Sequence, residues 1–208
     1  WVEYLTSDAE SPMTELRKKN GREKPWKVKY FGIGNETWGC GGNMTVEYYS
    51  NQLRKYSNFV KNYGDNVLYK IASGSNDKDY PWTEHLVDQW ANKTQGYLKG
   101  YMSGISLHYY TICNNWDIKG SATDFSKEEW GNTFFKTKMM DEFVKGHSAV
   151  LDKYDPENKI GLIIDEWGNW FEVEPGTNPG FLYQQNTLRD ALVASINLDI
   201  FNNNCTRV

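Results

Sequence analysis

Apolar positions along the chain follow two alternating rhythms. Four short runs, residues 28–33, 67–72, 105–109 and 160–164, are rich in branched and aromatic side chains and have the length of buried strands. Between them, apolar residues recur every three or four positions. Residues 45–63 carry Tyr48, Tyr49, Leu53, Tyr56, Phe59 and Val60 in that spacing, with Gly64 where a C-terminal cap belongs. Residues 82–98 place Leu86, Val87 and Trp90 on one helical face. A third helix is predicted to open at Ser126 with the capping box Ser-Lys-Glu-Glu and to run toward Lys153. A fourth spans about Leu182 to Phe201.

Strands that alternate with helices imply βαβ units and a parallel sheet, hence an α/β fold. Each apolar run leads directly into polar residues: Gly34-Asn35-Glu36, Ser73-Gly74-Ser75-Asn76, Tyr110-Thr111 and Asp165-Glu166. That placement favours a (β/α)8 TIM barrel, whose active site is built at the C-terminal ends of its strands. A doubly wound sheet competes with it. Gly39-Cys40-Gly41-Gly42, however, lacks both the P-loop lysine and the spacing of a dinucleotide fingerprint. The segment reads instead as a loop whose backbone passes close to a pocket. Four strands make about half a barrel, so residues 1–208 are expected to form one partial catalytic barrel domain.

Charge narrows the partners. The chain has 23 basic and 27 acidic residues, a net charge of −4, and no basic run. Neither nucleic acid nor an anionic membrane surface is expected as a partner. No apolar run reaches the length of a membrane span, and the sequence opens at Trp1 without a signal-peptide pattern. Cys40, Cys113 and Cys205 are odd in number and show no metal-type pairing, so neither a disulfide framework nor a zinc site is read from them. Aromatic residues make up 15% of the chain, with 9 Trp and 14 Tyr. Rings left open in a cleft offer flat faces suited to sugar C–H surfaces.

Glu36 and Glu166 stand out because each follows a buried strand run. Glycoside hydrolysis needs two carboxyl groups flanking one bond, and parallel barrel strands deliver distant residues to one rim. The residues around them carry a resemblance. Gly34-Asn35-Glu36 with Asp165-Glu166-Trp167-Gly168 resembles the clan A barrel glycosidases, in which the acid/base follows an Asn on strand four and the nucleophile lies on strand seven. The strings at 29–44 (KYFGIGNETWGCGGNM) and 181–194 (FLYQQNTLRDALVA) are similar to the α-L-arabinofuranosidases of glycoside hydrolase family 51.

That resemblance implies strands four to seven of the barrel. It also implies retaining hydrolysis of terminal non-reducing α-L-arabinofuranosyl residues from plant polysaccharides or oligosaccharides, with no cofactor and no metal. Carried over by position, Glu36 is the acid/base, Glu166 the nucleophile, and Asn35 a partner of the sugar 2-hydroxyl. Tyr110 would donate to the nucleophile, and His108 would support the acid/base region. Trp170 would form an aromatic wall, with Trp38 bordering the pocket. Asp165 is expected to point away from Glu166 as a structural carboxylate, and Glu36 to have a raised pKa beside ionised Glu166.

The resemblance begins near the end of the third barrel strand and stops before the eighth. Low or no activity, or association through open sheet edges into a homo-oligomer, is therefore expected of these residues alone. The rival readings are a β-xylosidase or endoglucanase of the same clan, and a non-catalytic carbohydrate-binding fragment. Compartment is open, leaning toward secreted or periplasmic.

Overall fold

The computed structural model describes residues 1–178, 180 and 183–208. Two short helices come first, α1 (Val2–Thr6) and α2 (Pro12–Lys19). The sequence pattern did not single them out, being too short for a periodic signal. Ser11 caps α2 in a capping box with Thr14, and Pro12 occupies the first turn. Arg17 is fully buried and ties the two helices together by donating to the carbonyls of Tyr4, Ser7 and Glu23.

Four parallel strands follow in the order β1 (Tyr30–Ile33), β2 (Tyr69–Asn76), β3 (Gly104–Thr111) and β4 (Gly161–Asn169). They form a half-barrel. Between them lie α3 (Val46–Ser57), α4 (Tyr80–Asn92), a 3-10 turn (Gly96–Tyr101), α5 (Lys127–Thr137) and α6 (Met139–Tyr154), and α7 (Leu188–Asn203) follows β4. Leu53, Leu86, Val87, Met140 and Val144 from these helices meet Ile105, Leu107 and Leu162 of the sheet in one buried core.

Several boundaries differ from the sequence pattern for identifiable reasons. β2 and β4 run on through their polar tails, because ladder pairing asks only for backbone groups; Ser75 is completely buried there. Helix α3 stops at Ser57 rather than near Gly64. Lys70 takes the Ser57 carbonyl at 2.8 Å, and the Ser57 hydroxyl turns to Tyr101. Gly64 instead closes a turn at φ 56° beside the Tyr63–Asn66 bridge. The capping box at Ser126 forms as expected, but the helix it starts ends at Thr137. There the Lys136 carbonyl accepts from the Tyr109 hydroxyl, and α6 begins anew at Met139 after the single residue Lys138. Leu182, the expected start of the last helix, lies outside the described residues. Thr187 caps that helix in a box with Asp190.

Two bulges set the register of the sheet. Between Ala72 and Ser75, β2 carries one residue more than β3, and between Ile163 and Glu166, β4 carries one more than β3. Gly74 belongs to the first bulge. A Cβ there would sit 1.6 Å from the Ser106 carbonyl oxygen, so only glycine fits.

Among the described residues β1 and β4 each have a single strand neighbour. An apolar groove of about 560 Å³, lined by Phe31, Ile33, Tyr48, Tyr56 and Phe59, runs along the free side of β1. On the free side of β4, the Arg207 carbonyl accepts from Leu162 N at 2.8 Å. No helix among the described residues is long and apolar enough to cross a membrane.

The Gly74 contact gives a direct test. Gly74→Ala should cost about 2–3 kcal/mol through forced backbone displacement, read as a lower urea midpoint. Gly100→Ala, whose Cβ would meet nothing within 4 Å, should leave the midpoint within error.

Candidate active site

The site begins where β1 ends. Tyr49 of α3 reaches over this point: its hydroxyl donates to the Ile33 carbonyl at 2.7 Å and accepts from Ser73 N at 2.6 Å. It stitches β1 to β2 where their ladder stops. Gly34 then turns the chain at φ 99°, a conformation that would be strained for other residues. Glu36 follows at φ 43°, the left-handed region that costs a non-glycine residue about 1–2 kcal/mol. Neighbours hold this turn. The Glu36 carbonyl accepts from Gly39 N at 2.8 Å and Gly41 N at 3.0 Å, and Thr37 N donates to Ser73 Oγ at 3.2 Å. Gly41 is obligatory, since a Cβ there would lie 1.6 Å from the Asn35 carbonyl oxygen. Strain of this kind concentrates at functional positions.

Glu166 arrives differently, from within β4. The second bulge brings it opposite His108 of β3. His108 is the centre of the cluster, with a side chain only 3% exposed, against 21% for Glu36 and 31% for Glu166. Its Nδ1 lies 2.9 Å from Glu36 Oε1 and 3.5 Å from Glu166 Oε2. Its Nε2 lies 3.0 Å from Asp165 Oδ1, an ion-pair contact without the alignment of a hydrogen bond. Asp165 and Glu166 thus approach opposite nitrogens of one imidazole.

Burial works against charge on His108, but Asp165 and Glu36 in contact with it, and the nearby charge of Glu166, outweigh this and lift its pKa to about 8. The ring is an imidazolium at neutral pH. Nδ1 and one oxygen each of Glu36 and Glu166 lie within 4.8 Å of one another.

Glu36 does not behave as the sequence reading expects. Burial pushes its carboxyl up, yet hydrogen bonds from Cys40 and His108, and the charge on His108, bring it below its ordinary range. The Cys40 thiol and the His108 cation together outweigh the burial that would otherwise raise it. Cys40 Sγ donates to Glu36 Oε2 at 3.0 Å.

The Tyr110 hydroxyl donates to Glu166 Oε2 at 2.9 Å. Its own pKa is pushed upward by burial and by Glu166, so it remains a donor. Trp170 stands edge-on to Tyr110, ring centres 5.0 Å apart, with Trp116 edge-on beyond it at 5.3 Å. Asn35 is exposed beside Glu36. Trp38 is turned toward the core and donates its indole N–H to the Gly74 carbonyl at 3.0 Å. Glu36, His108, Tyr110 and Glu166 therefore meet directly, Trp170 joins through Tyr110, and Trp38 braces the turn. The contact of Asp165 with His108 carried no sequence signal, since it depends on the bulge in β4.

The position of His108 has a consequence for stability. Its folded pKa of about 8 stands above the ordinary 6.5, so protonation favours the folded state. The contribution, about 2 kcal/mol by linkage, is whole below pH 6.5 and lost as the pH rises through 8. Urea midpoints at pH 6 and pH 9 should differ accordingly, and His108→Gln should flatten that difference.

Comparison with known proteins gives a consistent picture. Residues 1–139 match the model of the alpha-L-arabinofuranosidase 1 domain, and residues 165–208 match that of the alpha-L-arabinofuranosidase C-terminal domain. The chain is 52% identical over 201 residues to an intracellular exo-alpha-L-arabinofuranosidase of Bacteroides ovatus, which covers 97% of this chain and 38% of that protein. Among solved structures it resembles the GH51 arabinofuranosidase of Xanthomonas axonopodis pv. citri, with a TM-score of 0.91 and 50% identity, over all of this chain and 41% of that one. The alpha-L-arabinofuranosidase of Thermotoga maritima, in its arabinose complex, is similar at a TM-score of 0.74 and 25% identity, over all of this chain and 38% of that one. The chain spans about two-fifths of the length of these relatives. With most of its length matched by the family model, the chain belongs to the α-L-arabinofuranosidases of glycoside hydrolase family 51 and represents part of their barrel.

Proposed function

We propose that this chain carries both catalytic carboxylates of a retaining α-L-arabinofuranosidase that removes terminal non-reducing α-L-arabinofuranosyl residues from plant oligosaccharides or polysaccharides. The observation that carries the reading is the convergence of Glu36 and Glu166, 130 positions apart (166 − 36), with carboxylate oxygens within 4.8 Å. Retaining glycosidases hold their two carboxyl groups about 5–5.5 Å apart, whereas inverting ones leave about 6.5–9.5 Å for a water.

Glu166 is the nucleophile. Tyr110 donates to its Oε2, keeping the carboxylate oriented with one oxygen free to attack the anomeric carbon. As that bond forms, the protonated form of Glu36, which the Cys40 and His108 contacts disfavour in the free site, passes its proton to the glycosidic oxygen, and the leaving alcohol departs. The product is a covalent furanosyl ester on Glu166. Glu36, now ionised, takes a proton from water, which attacks the same carbon from the opposite side. The ester breaks, Glu166 is released as carboxylate, and the sugar leaves with net retention. Asn35 beside Glu36 is suited to the sugar 2-hydroxyl. Trp170 supplies an aromatic face beside Tyr110. His108 answers for the charge: when both are ionised, two carboxylates within 4.8 Å repel by roughly 3–4 kcal/mol at an effective dielectric of about 20, and the imidazolium beside them offsets that repulsion.

In the full-length protein, Glu166→Ala should reduce kcat by about 10⁴-fold or more. Glu36→Ala should spare substrates with excellent leaving groups and recover activity with azide, yielding the glycosyl azide of retained configuration. An unchanged rate for Glu166→Ala, or an inverted first-formed sugar by NMR, would sink the assignment.

The 208 residues alone should be inactive and should associate. Among the described residues β1 and β4 each have one side without a strand neighbour, which favours pairing with another chain. Light scattering together with an aryl-arabinofuranoside assay reads both expectations, and an active monomer would contradict them.

A further inference from the structure

The second oxygen of Glu36 is held by a residue to which the mechanism above gives no task. Oε1 faces His108, and Oε2 accepts from the Cys40 thiol at 3.0 Å. The loop that carries Cys40 is shaped for this contact. It folds back through the Glu36 carbonyl, which binds the amides of Gly39 and Gly41, and it closes only because Gly41 has no Cβ to strike Asn35. The thiol is therefore fixed by four residues of backbone to the carboxylate it touches, whereas the other two cysteines, Cys113 and Cys205, lie elsewhere in the chain.

We propose that Cys40 is a positioning residue for Glu36: its thiol donates to Oε2, fixes the carboxyl rotamer, and favours the carboxylate that forms as Glu36 releases its proton to the glycosidic oxygen. The proposal rests on the reading of Glu36 as acid/base. A donor to the charged form stabilises it more than the neutral acid, so the thiol makes Glu36 a stronger acid that is also deprotonated earlier as pH rises. The same contact holds the thiol itself protonated, with its pKa pushed up chiefly by the hydrogen bond to Glu36. The other charged or titratable groups around Glu36 are His108 and Tyr110 from β3, and Glu166 and Asp165 from β4. None of them touches Oε2 in place of the thiol, so removing Cys40 leaves that oxygen without its donor while the His108 contact remains.

The test is the pH dependence of kcat/KM in the full-length enzyme, with arabinobiose as a substrate that needs acid assistance and a dinitrophenyl arabinofuranoside as one that does not. Cys40→Ala and Cys40→Val both remove the donor, and either suffices if the other fails to fold. Cys40→Ser keeps it. The alkaline limb for arabinobiose should move to higher pH in the Ala and Val variants and return toward wild type in the Ser variant. The acidic plateau for arabinobiose should fall several-fold, while the dinitrophenyl substrate changes little. Limbs that coincide in all variants would overturn the role of Cys40, as would equal losses on both substrates. Azide rescue of Glu36→Ala separates the two failures. Rescue with unmoved limbs rejects Cys40 alone, and absence of rescue rejects the acid/base reading beneath it.

Discussion

The arrangement turns on a single buried imidazolium. His108 is almost without solvent and sits among Glu36, from the turn after β1, and Asp165 and Glu166, consecutive residues of β4. Burying one cation is costly, and so is bringing carboxylates together; combining them cancels much of both costs. The strained turn at Glu36, the bulge in β4 and the buried tail of β3 all serve to complete this cluster. Together with the Cys40 thiol, it explains why Glu36 lies below its ordinary range. In a site holding only two carboxylates the sign would be reversed.

The sheet is built to hold that cluster rigid. Where β1 runs out of ladder, Tyr49 supplies a hydroxyl in place of backbone, accepting from Ser73 and donating to Ile33. Ser73 then receives the amide of Thr37, and Trp38 reaches the Gly74 carbonyl. Polar groups around the Glu36 turn are thus bound to the end of β2, which is itself locked to β3 by the bulge at Gly74 and by Ser106, whose hydroxyl accepts from Gly74 N at 2.9 Å. The Glu36 carboxylate inherits the rigidity of three strands although it belongs to none of them.

The outer frame follows the same logic with different groups. Buried arginines replace absent backbone partners: Arg207 binds Asp155 at 2.9 Å and the carbonyls of Asp155 and Ile160 at the foot of β4. Arg189 lies between the rings of Phe125 and Phe171, 3.8 and 4.3 Å from their centres, and reaches the Ser121 carbonyl. This second arginine fastens the loop after β3 to the start of α7, which keeps the segment bearing Trp116 near Trp170. Open edges at β1 and β4 mark where this rigidity stops among the described residues.

Much of this was legible in the chain itself. Branched apolar runs marked the four strands, most clearly β2 and β3, whose burial on both faces demands continuous apolar sequence. The capping box at Ser126 and the periodic faces around Leu53 and Leu86 marked the helices, and the ends of two apolar runs singled out Glu36 and Glu166 as candidates. What sequence could not supply was register. A bulge of one residue at Gly74 and another between Ile163 and Glu166 cost nothing in composition, yet they decide which side chains face His108. The ionisation of Glu36, the contact of Asp165 and the thiol donation from Cys40 all depend on those offsets and on the left-handed turn after β1. Local pattern fixes which face of an element is apolar, but charge is set by neighbours that meet only when the sheet is assembled, and so the chemistry of the site belongs to the tertiary structure.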